Sequence, residues 1–267
     1  MQEINSNCAT CPAHNVNNLK SLGIDMSDFD YVVALAGNPN TGKSTVFNSL
    51  TGLKQHTGNW PGKTVARAEG GFEYNSKKYK LVDLPGTYSL LSTSTDEEIA
   101  RNFILFGKPD ATIIVVDATR LERNLNLTLQ VLEITDRAVM CLNLMDEAKR
   151  NGIEIDIRAL SKELGIPVVP TQARQKIGIN ELILAVEEVI TGKFVCKPRR
   201  LKKYHPKIEK AVEEISNDLM VEFPNLPNAR WVALRLLEGD QTIINLINSG
   251  EISQVLEIQK QGVISEP

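Results

Sequence analysis

Residues 37–44 read GNPNTGKS, between the apolar run YVVALA at 31–36 and the helical pattern STVFNSL at 44–50. The spacing G-x-x-x-x-G-K-S is complete in Gly37, Gly42, Lys43 and Ser44, in the strand-then-helix setting that a phosphate-binding loop requires. Glycines let such a loop curl so that several backbone N–H groups converge on phosphate oxygens. The N-terminus of the following helix adds its positive dipole end. Lys43 then reaches the outer phosphates, and the Ser44 hydroxyl suits Mg²⁺. The stretch from Asn38 through Asn40 and Thr41 to Thr45 is the candidate nucleotide cradle.

Outward from this loop, short apolar runs recur at YVVALAG, KYKLVD, ATIIVVD, AVMCLNL and IPVVPT. They read as strands buried on both faces. Helical patterns alternate with them: KSTVFNSL, DEEIARNFILFG, NLNLTLQVLEIT, IRALSKELG and INELILAVEEVI. The alternation predicts an α/β domain, a mostly parallel sheet with helices on both faces. ARAEGGFEYNSKKYKLVD predicts a hairpin turning at Asn75-Ser76 and supplying one antiparallel edge strand. Residues 1–29 read as a flexible leader, 30–192 as the phosphate-loop domain and 193–204 as a basic linker. Residues 205–262 read as a small all-helical domain and 263–267 as a tail. In the helical part Ile208, Val212, Ile215 and Leu219 recur at helical spacing, and RWVALRLLEG and DQTIINLINSG each end at a glycine.

The bulk composition excludes several classes. Of 267 residues 42% are hydrophobic and 24% charged, with a formal net charge of -3. That balance argues against nucleic acid as the main partner. Four cysteines fit a reducing compartment better than a disulfide scaffold. MQEINSNCAT has no basic stretch followed by an apolar one, so it is not a signal peptide. No apolar run approaches the ~20 residues that cross a bilayer. The chain as given reads as soluble.

The base must be chosen elsewhere, and NLMD at 143–146 stands where open α/β sheets bind ligands, after the run AVMCL. Asp146 can accept two hydrogen bonds from the N1–H and N2 amine of guanine, whereas adenine would face it with a lone pair. Asn143 would brace the loop and meet the base edge. Thr171 and Ala173, in TQAR, begin a loop that can close over the base through the Ala173 amide. In DLPG at 83–86, Asp83 would hold Mg²⁺ through a water and the Gly86 N–H would sense the γ-phosphate. Asp117 competes for that role, but without a following glycine it reads better as a strand cap. Between cradle and DLPG, KQHTGNWPGKTVAR looks poorly suited to regular structure and able to order around a γ-phosphate. Thr64 is its candidate second Mg²⁺ ligand and Thr57 the fallback.

Residues 31–190 resemble a small Ras-type G domain of the bacterial translation-factor class. More narrowly, GNPNTGKSTVFNSLTG, HTGNWPGKTV, DLPGTYSL and NLMDEA together resemble the cytosolic N-terminal G domain of the bacterial ferrous-iron transport family FeoB. The resemblance implies GTP and GDP as ligands and slow GTP hydrolysis. It also implies a helical domain that slows GDP loss, a membrane permease as the rest of the protein, and a place on the cytoplasmic face of the inner membrane. A homo-oligomer is compatible with it. Two departures from the wider G-protein pattern stand out. Leu144 replaces the lysine that stacks on guanine, which predicts weaker binding and faster exchange. Thr87 follows DLPG where Ras-like proteins place a water-orienting glutamine, so turnover is expected at about 10⁻⁴–10⁻² s⁻¹. Asn40 matches the asparagine that helps hold K⁺ in cation-dependent members, and K⁺ would supply the charge of an arginine finger. For Asn38 the expectation is only that its side chain stabilises the turn.

Other features stay secondary. Cys8, Cys11 and His14 have half-site spacing for a soft metal but no second pair follows. Cys141 reads as a core residue and Cys196 as a linker cysteine without a partner. Trp60 reads as loop-borne and exposed, and Trp231 as core of the helical domain. The basic run from Lys197 to Lys207 suits an anionic membrane surface or a solvated linker equally well. The competing functional reading is a soluble GTPase of ribosome or RNA assembly; a third is a nucleotide sensor without turnover.

Overall fold

The computed structural model describes residue 19 and residues 22–52, 55–91, 94–200, 205–224 and 226–249. The cysteine–histidine trio of the leader, the segment 201–204 and the end of the helical region from residue 250 lie outside these residues.

A seven-stranded sheet carries the larger part, in the order β2-β3-β4-β1-β5-β6-β7. The central strands are β1 (Tyr31–Gly37), β4 (Lys77–Asp83), β5 (Ala111–Asp117) and β6 (Ala138–Asn143), with β7 (Val168–Pro170) at one edge. These five pair in parallel, as in the register Gly37↔Val115 and Asp117↔Asn143. Every residue of β5 and β6 is buried, which is why they read as unbroken Val/Ile/Leu runs rather than alternating ones. Helices α1 (Lys43–Thr51), α2 (Thr95–Gly107), α3 (Leu121–Ile134), α4 (Met145–Arg150), α5 (Ile157–Leu164) and α6 (Ile179–Ile190) fill the connections. Val46, Phe47 and Leu50 of α1 and Leu182, Val186 and Val189 of α6 enter one core with Val33, Leu35, Ile113 and Val139.

The other edge differs from the sequence reading. β3 (Ala66–Tyr74) is antiparallel to β4 through a turn at Asn75 and Ser76, both at positive φ. It is not the edge strand. Gln55–Asn59, expected to be irregular, forms β2 and pairs antiparallel with β3 from Gln55↔Gly70 to Asn59↔Ala66. An outermost polar strand needs no apolar alternation, so its pairing left no signature. The turn beyond β2 closes with Trp60 N–H donating to Val65 O and Lys63 N–H to Trp60 O, both at 3.0 Å. Trp60 is only 4% exposed, against the expectation of an exposed loop residue. Its indole meets the Phe103 ring of α2 edge-on at 5.5 Å, under the Arg67 guanidinium.

Near the N-terminus Leu19, Ile24 and Met26 are buried, so the end of the stretch read as a leader is packed. The segment read as a basic linker is also pinned. Lys197 N–H donates to Gly165 O at 2.8 Å, Cys196 Sγ to Ala138 O at 3.5 Å, and Arg200 Nε to Leu132 O at 2.7 Å. Residues 194–200 are thus a strap against α5 and β6. Contacts divide the chain into two compact units, the larger being Ser27–Ile104 with Pro109–Lys202. The smaller unit contains α7 (Pro206–Glu222), α8 (Ala229–Leu237) and α9 (Gln241–Asn248). The side chains of His205, Asn228 and Asp240 cap these helices. Val212, Leu219, Trp231, Val232 and Ile243 form its buried face.

Gly165, just past α5, has φ 72, and a Cβ there would run into the Lys197 carbonyl. Gly192 has φ 75 with open space around it. Gly192→Ala should therefore show only the left-handed penalty, about 1–2 kcal/mol. Gly165→Ala adds a backbone clash, and urea unfolding should show it costing at least about twice as much.

Candidate functional site

The phosphate-type loop runs from Gly37, the last residue of β1, to Lys43, the first of α1. Gly42 caps α1 at φ 81, and a Cβ there would strike the Asn143 amide nitrogen. Glycine is required twice over: by the backbone angle and by the close approach. Asn40 also has positive φ, 66, a region that asparagine tolerates better than most residues. Its side chain is exposed, as are those of Ser44 and Thr45. The turn is closed by Thr41 Oγ1 donating to the backbone carbonyl of Asn38 at 2.9 Å. The Asn38 side chain does not do this. It is 3% exposed and neither of its amide atoms has a partner among the described residues.

Asn143 ends β6 and is 1% exposed. Its Nδ2 donates to Thr41 O at 3.0 Å, while its Oδ1 accepts from Thr171 Oγ1 at 3.2 Å and from Ala173 N–H at 3.1 Å. One carboxamide therefore joins the glycine-rich loop, the end of β6 and the 171–173 loop. Ser49 Oγ of α1 donates to Ala173 O at 2.9 Å, a second tie. Sequence reasoning assigned Asn143 a bracing part and read the Ala173 amide as pointing at a base. Here the Ala173 amide points at Asn143, a backbone direction that residue identity does not encode. Leu144 follows at φ 62 and caps α4, which places Asp146 in that helix's first turn. Asp146 is half-buried, and its one ion pair among the described residues, with exposed Arg150, is 3.3 Å long. Such an exposed i,i+4 pair contributes about 0.3–0.5 kcal/mol, so it holds the carboxylate only loosely.

On the other side of the cradle, Lys43 Nζ pairs with Asp83 Oδ1 at the end of β4. Burial pushes the Asp83 carboxyl above its ordinary range, and the Lys43 ammonium opposes this. Gly86 lies against Pro39 of the loop. Thr87 is buried and its N–H donates to Gly37 O at 3.3 Å, so it is turned into the fold. Asp117 accepts from the N–H and Oγ1 of Thr119 at 2.8 and 2.7 Å, as a strand-end cap would. Thr64 and Thr57 are exposed on the β2–β3 hairpin, and no hydrogen bond among the described residues brings either to Ser44 or Asp83. The structure therefore gathers Gly37, Thr41, Gly42, Lys43, Asp83, Gly86, Asn143, Thr171 and Ala173, and leaves Thr64 apart.

The hydroxyl of Ser44 and the carboxylate of Asp83 are hard oxygen donors that suit Mg²⁺. No group of three or more metal-ligating side chains occurs among the described residues. No helix among them is long and apolar enough to cross a membrane. Cys141 is buried beside Thr171, and burial pushes its thiol up to about 12, as for an inert core residue.

A family model described as "Ferrous iron transport protein B" matches residues 31–186, and one described as "FeoB cytosolic helical domain" matches 204–264. Among curated relatives, the Fe(2+) transporter FeoB of Escherichia coli (strain K12) is 43% identical over 229 residues. That match takes in 84% of this chain but 29% of the relative, so the chain spans under a third of the relative's length. The solved cytosolic domain of the T. maritima FeoB iron transporter in GDP form I is 35% identical. It covers 87% of this chain and 96% of its own, with a TM-score of 0.74. The FeoB G-domain from Methanococcus jannaschii is 52% identical, over 60% of this chain and 97% of its own, with a TM-score of 0.54. The fold is thus the Ras-like G domain followed by a helical domain, and the RNA-assembly reading is not favoured.

Asn143→Ala should remove three buried hydrogen bonds and lower the free energy of unfolding by about 2–4 kcal/mol in urea titrations. Asn143→Asp keeps the acceptor but sets a carboxylate oxygen against the Thr41 carbonyl. It is expected to be more damaging than alanine.

Proposed function

This chain belongs to the ferrous iron transport protein B (FeoB) family, and on that premise we propose that it is a GTP-binding, GTP-hydrolysing switch serving ferrous-iron uptake by a membrane permease. The observation that carries this reading is the Asn143 carboxamide, which ties the glycine-rich loop to the 171–173 loop one turn before the Asp146 carboxylate. That arrangement joins a phosphate cradle to a base reader through one side chain.

In this reading the loop amides from Asn38 to Thr45 wrap the phosphates, and Lys43 exchanges Asp83 for phosphate oxygens and balances charge as the γ-phosphoryl leaves. Asp146 accepts the N1–H and N2 amine of guanine. Asn143, held by Thr41, Thr171 and Ala173, keeps the base and phosphate halves in register, and Leu144 flanks the base without a cation. Ser44 and Asp83 would hold Mg²⁺, directly and through a water, and the ion would draw charge from the β- and γ-phosphates. Thr64 would join them only if the hairpin tip moves. Gly86 N–H senses the γ-phosphate. Asn40, exposed and without a hydrogen bond among the described residues, would hold K⁺. With Thr87 turned inward no side chain after DLPG orients water, which supports slow turnover, about 10⁻⁴–10⁻² s⁻¹.

The deciding experiment titrates the purified chain with GTP and ATP in magnesium buffer. GTP should bind and ATP should not, and Asp146→Ala should weaken GTP by at least ~10²-fold. Equal uptake of both nucleotides, or of neither, defeats the reading. Single-turnover phosphate release should run faster in KCl than in NaCl. Asn40→Ala should bring the KCl rate down to the NaCl rate while leaving GTP binding within a few-fold; equal rates for the unaltered chain in both salts remove K⁺ from the scheme.

A further inference from the structure

The strap and α5 carry basic residues in two distinct conditions. Arg199 pairs with Glu163, and Arg200 reaches Asp136 at 2.6 Å as well as the Leu132 carbonyl. Those two cations and both their acids are engaged in fixing the strap. Arg158 and Lys162 on α5, with Lys193 and Lys197 on the approach to the strap and on it, are exposed and make no ion pair among the described residues. Of the acids nearby, Asp156 is engaged in capping α5. Glu188, whose backbone carbonyl receives the Phe194 N–H, is half-buried.

Between these four cations stand two large apolar side chains that the fold leaves in water, Val195 at 68% and Phe194 at 36% exposure. Beside them opens a groove of about 680 Å³, with Ile157 and Val168 on its floor and Arg158, Lys162 and Lys197 on its rim. Leaving apolar residues exposed on a pinned strap has no folding benefit. The combination does suit a boundary that is apolar beneath and anionic on top. Long lysine and arginine stems can lie along the apolar tips while their heads meet negative charge.

We propose that this face of the larger unit, formed by Arg158, Lys162, Lys193 and Lys197 around Phe194 and Val195, docks on anionic lipid headgroups. The argument is charge complementarity joined to exposed apolar tips. None of the four cations pairs with an acid among the described residues, and the rim is open enough for mobile headgroups to gather around them. Phe194 and Val195 would enter the headgroup layer. The set differs from the basic run read in the sequence, because Arg199 and Arg200 are already engaged and α5 supplies half of the charge.

The test is flotation of the full 267-residue chain with phosphatidylcholine vesicles, with and without phosphatidylglycerol. The chain should float only with phosphatidylglycerol and be released by salt. Each basic residue near an anionic surface changes partitioning by about five-fold, so Arg158→Ala with Lys162→Ala should lower it by about 30-fold. Val195→Ser should lower it at unchanged charge. Lys77→Ala with Lys78→Ala on β4, the same loss of charge three strands from β6 in the same sheet, should leave it within about two-fold, taking ~2-fold as the limit for a residue away from the surface. Unchanged thermal melts confirm that the variants are folded. Flotation with phosphatidylcholine alone, equal loss in the β4 control, or no loss in the α5 variant overturns the proposal. So does soluble polyglutamate binding at the same four residues without any flotation, which would make the partner an acidic protein segment.

Discussion

The cradle depends on one buried carboxamide. Asn143 has a donor and an acceptor at fixed separation, and the fold uses both: the donor on the Thr41 carbonyl, the acceptor on Thr171 and Ala173. No other side chain of that length offers both. Aspartate lacks the donor, and leucine would leave the Thr41 carbonyl and the Ala173 N–H unpaired in the interior, at about 1–3 kcal/mol each. Because the amide also fills the space a Gly42 side chain would need, the glycine and the asparagine specify each other across 101 positions of sequence. The consequence for function is preorganisation. A loop that keeps its curvature without help from a ligand does not have to be ordered at the moment of binding.

The other half of the site is built to a looser standard. Its outermost strand, β2, has a hydrogen-bonding neighbour on one side only among the described residues. Its tip is held chiefly by Trp60 against Phe103 and by a Lys63–Glu98 pair of 3.1 Å. Exposed ion pairs of that kind contribute little, so the buried indole is the main restraint. A segment that must change partners when a γ-phosphate arrives has to come from the low-stability end of the fold. An edge hairpin whose tip rests on one aromatic side chain meets that requirement, whereas the braced loop across the sheet does not. On the proposed reading, the exposed position of Thr64 is a consequence of this division.

What the sequence disclosed follows the same division. The central strands β1, β5 and β6 were legible because burial on both faces makes them almost wholly apolar. The cradle was legible because its geometry demands particular residues at fixed spacing. The helix end after α8 was legible because a left-handed residue is needed there, and Gly239 supplies it. β2 was hidden, since an outer strand pairs through its backbone and leaves the side chains free to be polar. Trp60 was misread for a related reason: its neighbours are polar, and its partner Phe103 lies more than forty residues away on another element. The strap was misread because Arg199 and Arg200 look like any solvated cations until Glu163, Asp136 and the Leu132 carbonyl are brought to them. Long-range pairing of polar groups has no periodicity to betray it.

Leu144 shows how local strain and specificity can share one position. An aliphatic residue at φ 62 carries a penalty of about 1–3 kcal/mol, and here it also gives up the cation that would lie along a purine. Its backbone offers a return. The Leu144 carbonyl accepts from the Glu147 and Ala148 amides at 3.0 Å, so the turn starts α4 at once after β6. Asp146 is thereby carried into the first turn of α4. If guanine is the base, then selectivity rests on that carboxylate and affinity has lost a stacking partner. Discrimination and residence time are then separable properties of the same loop.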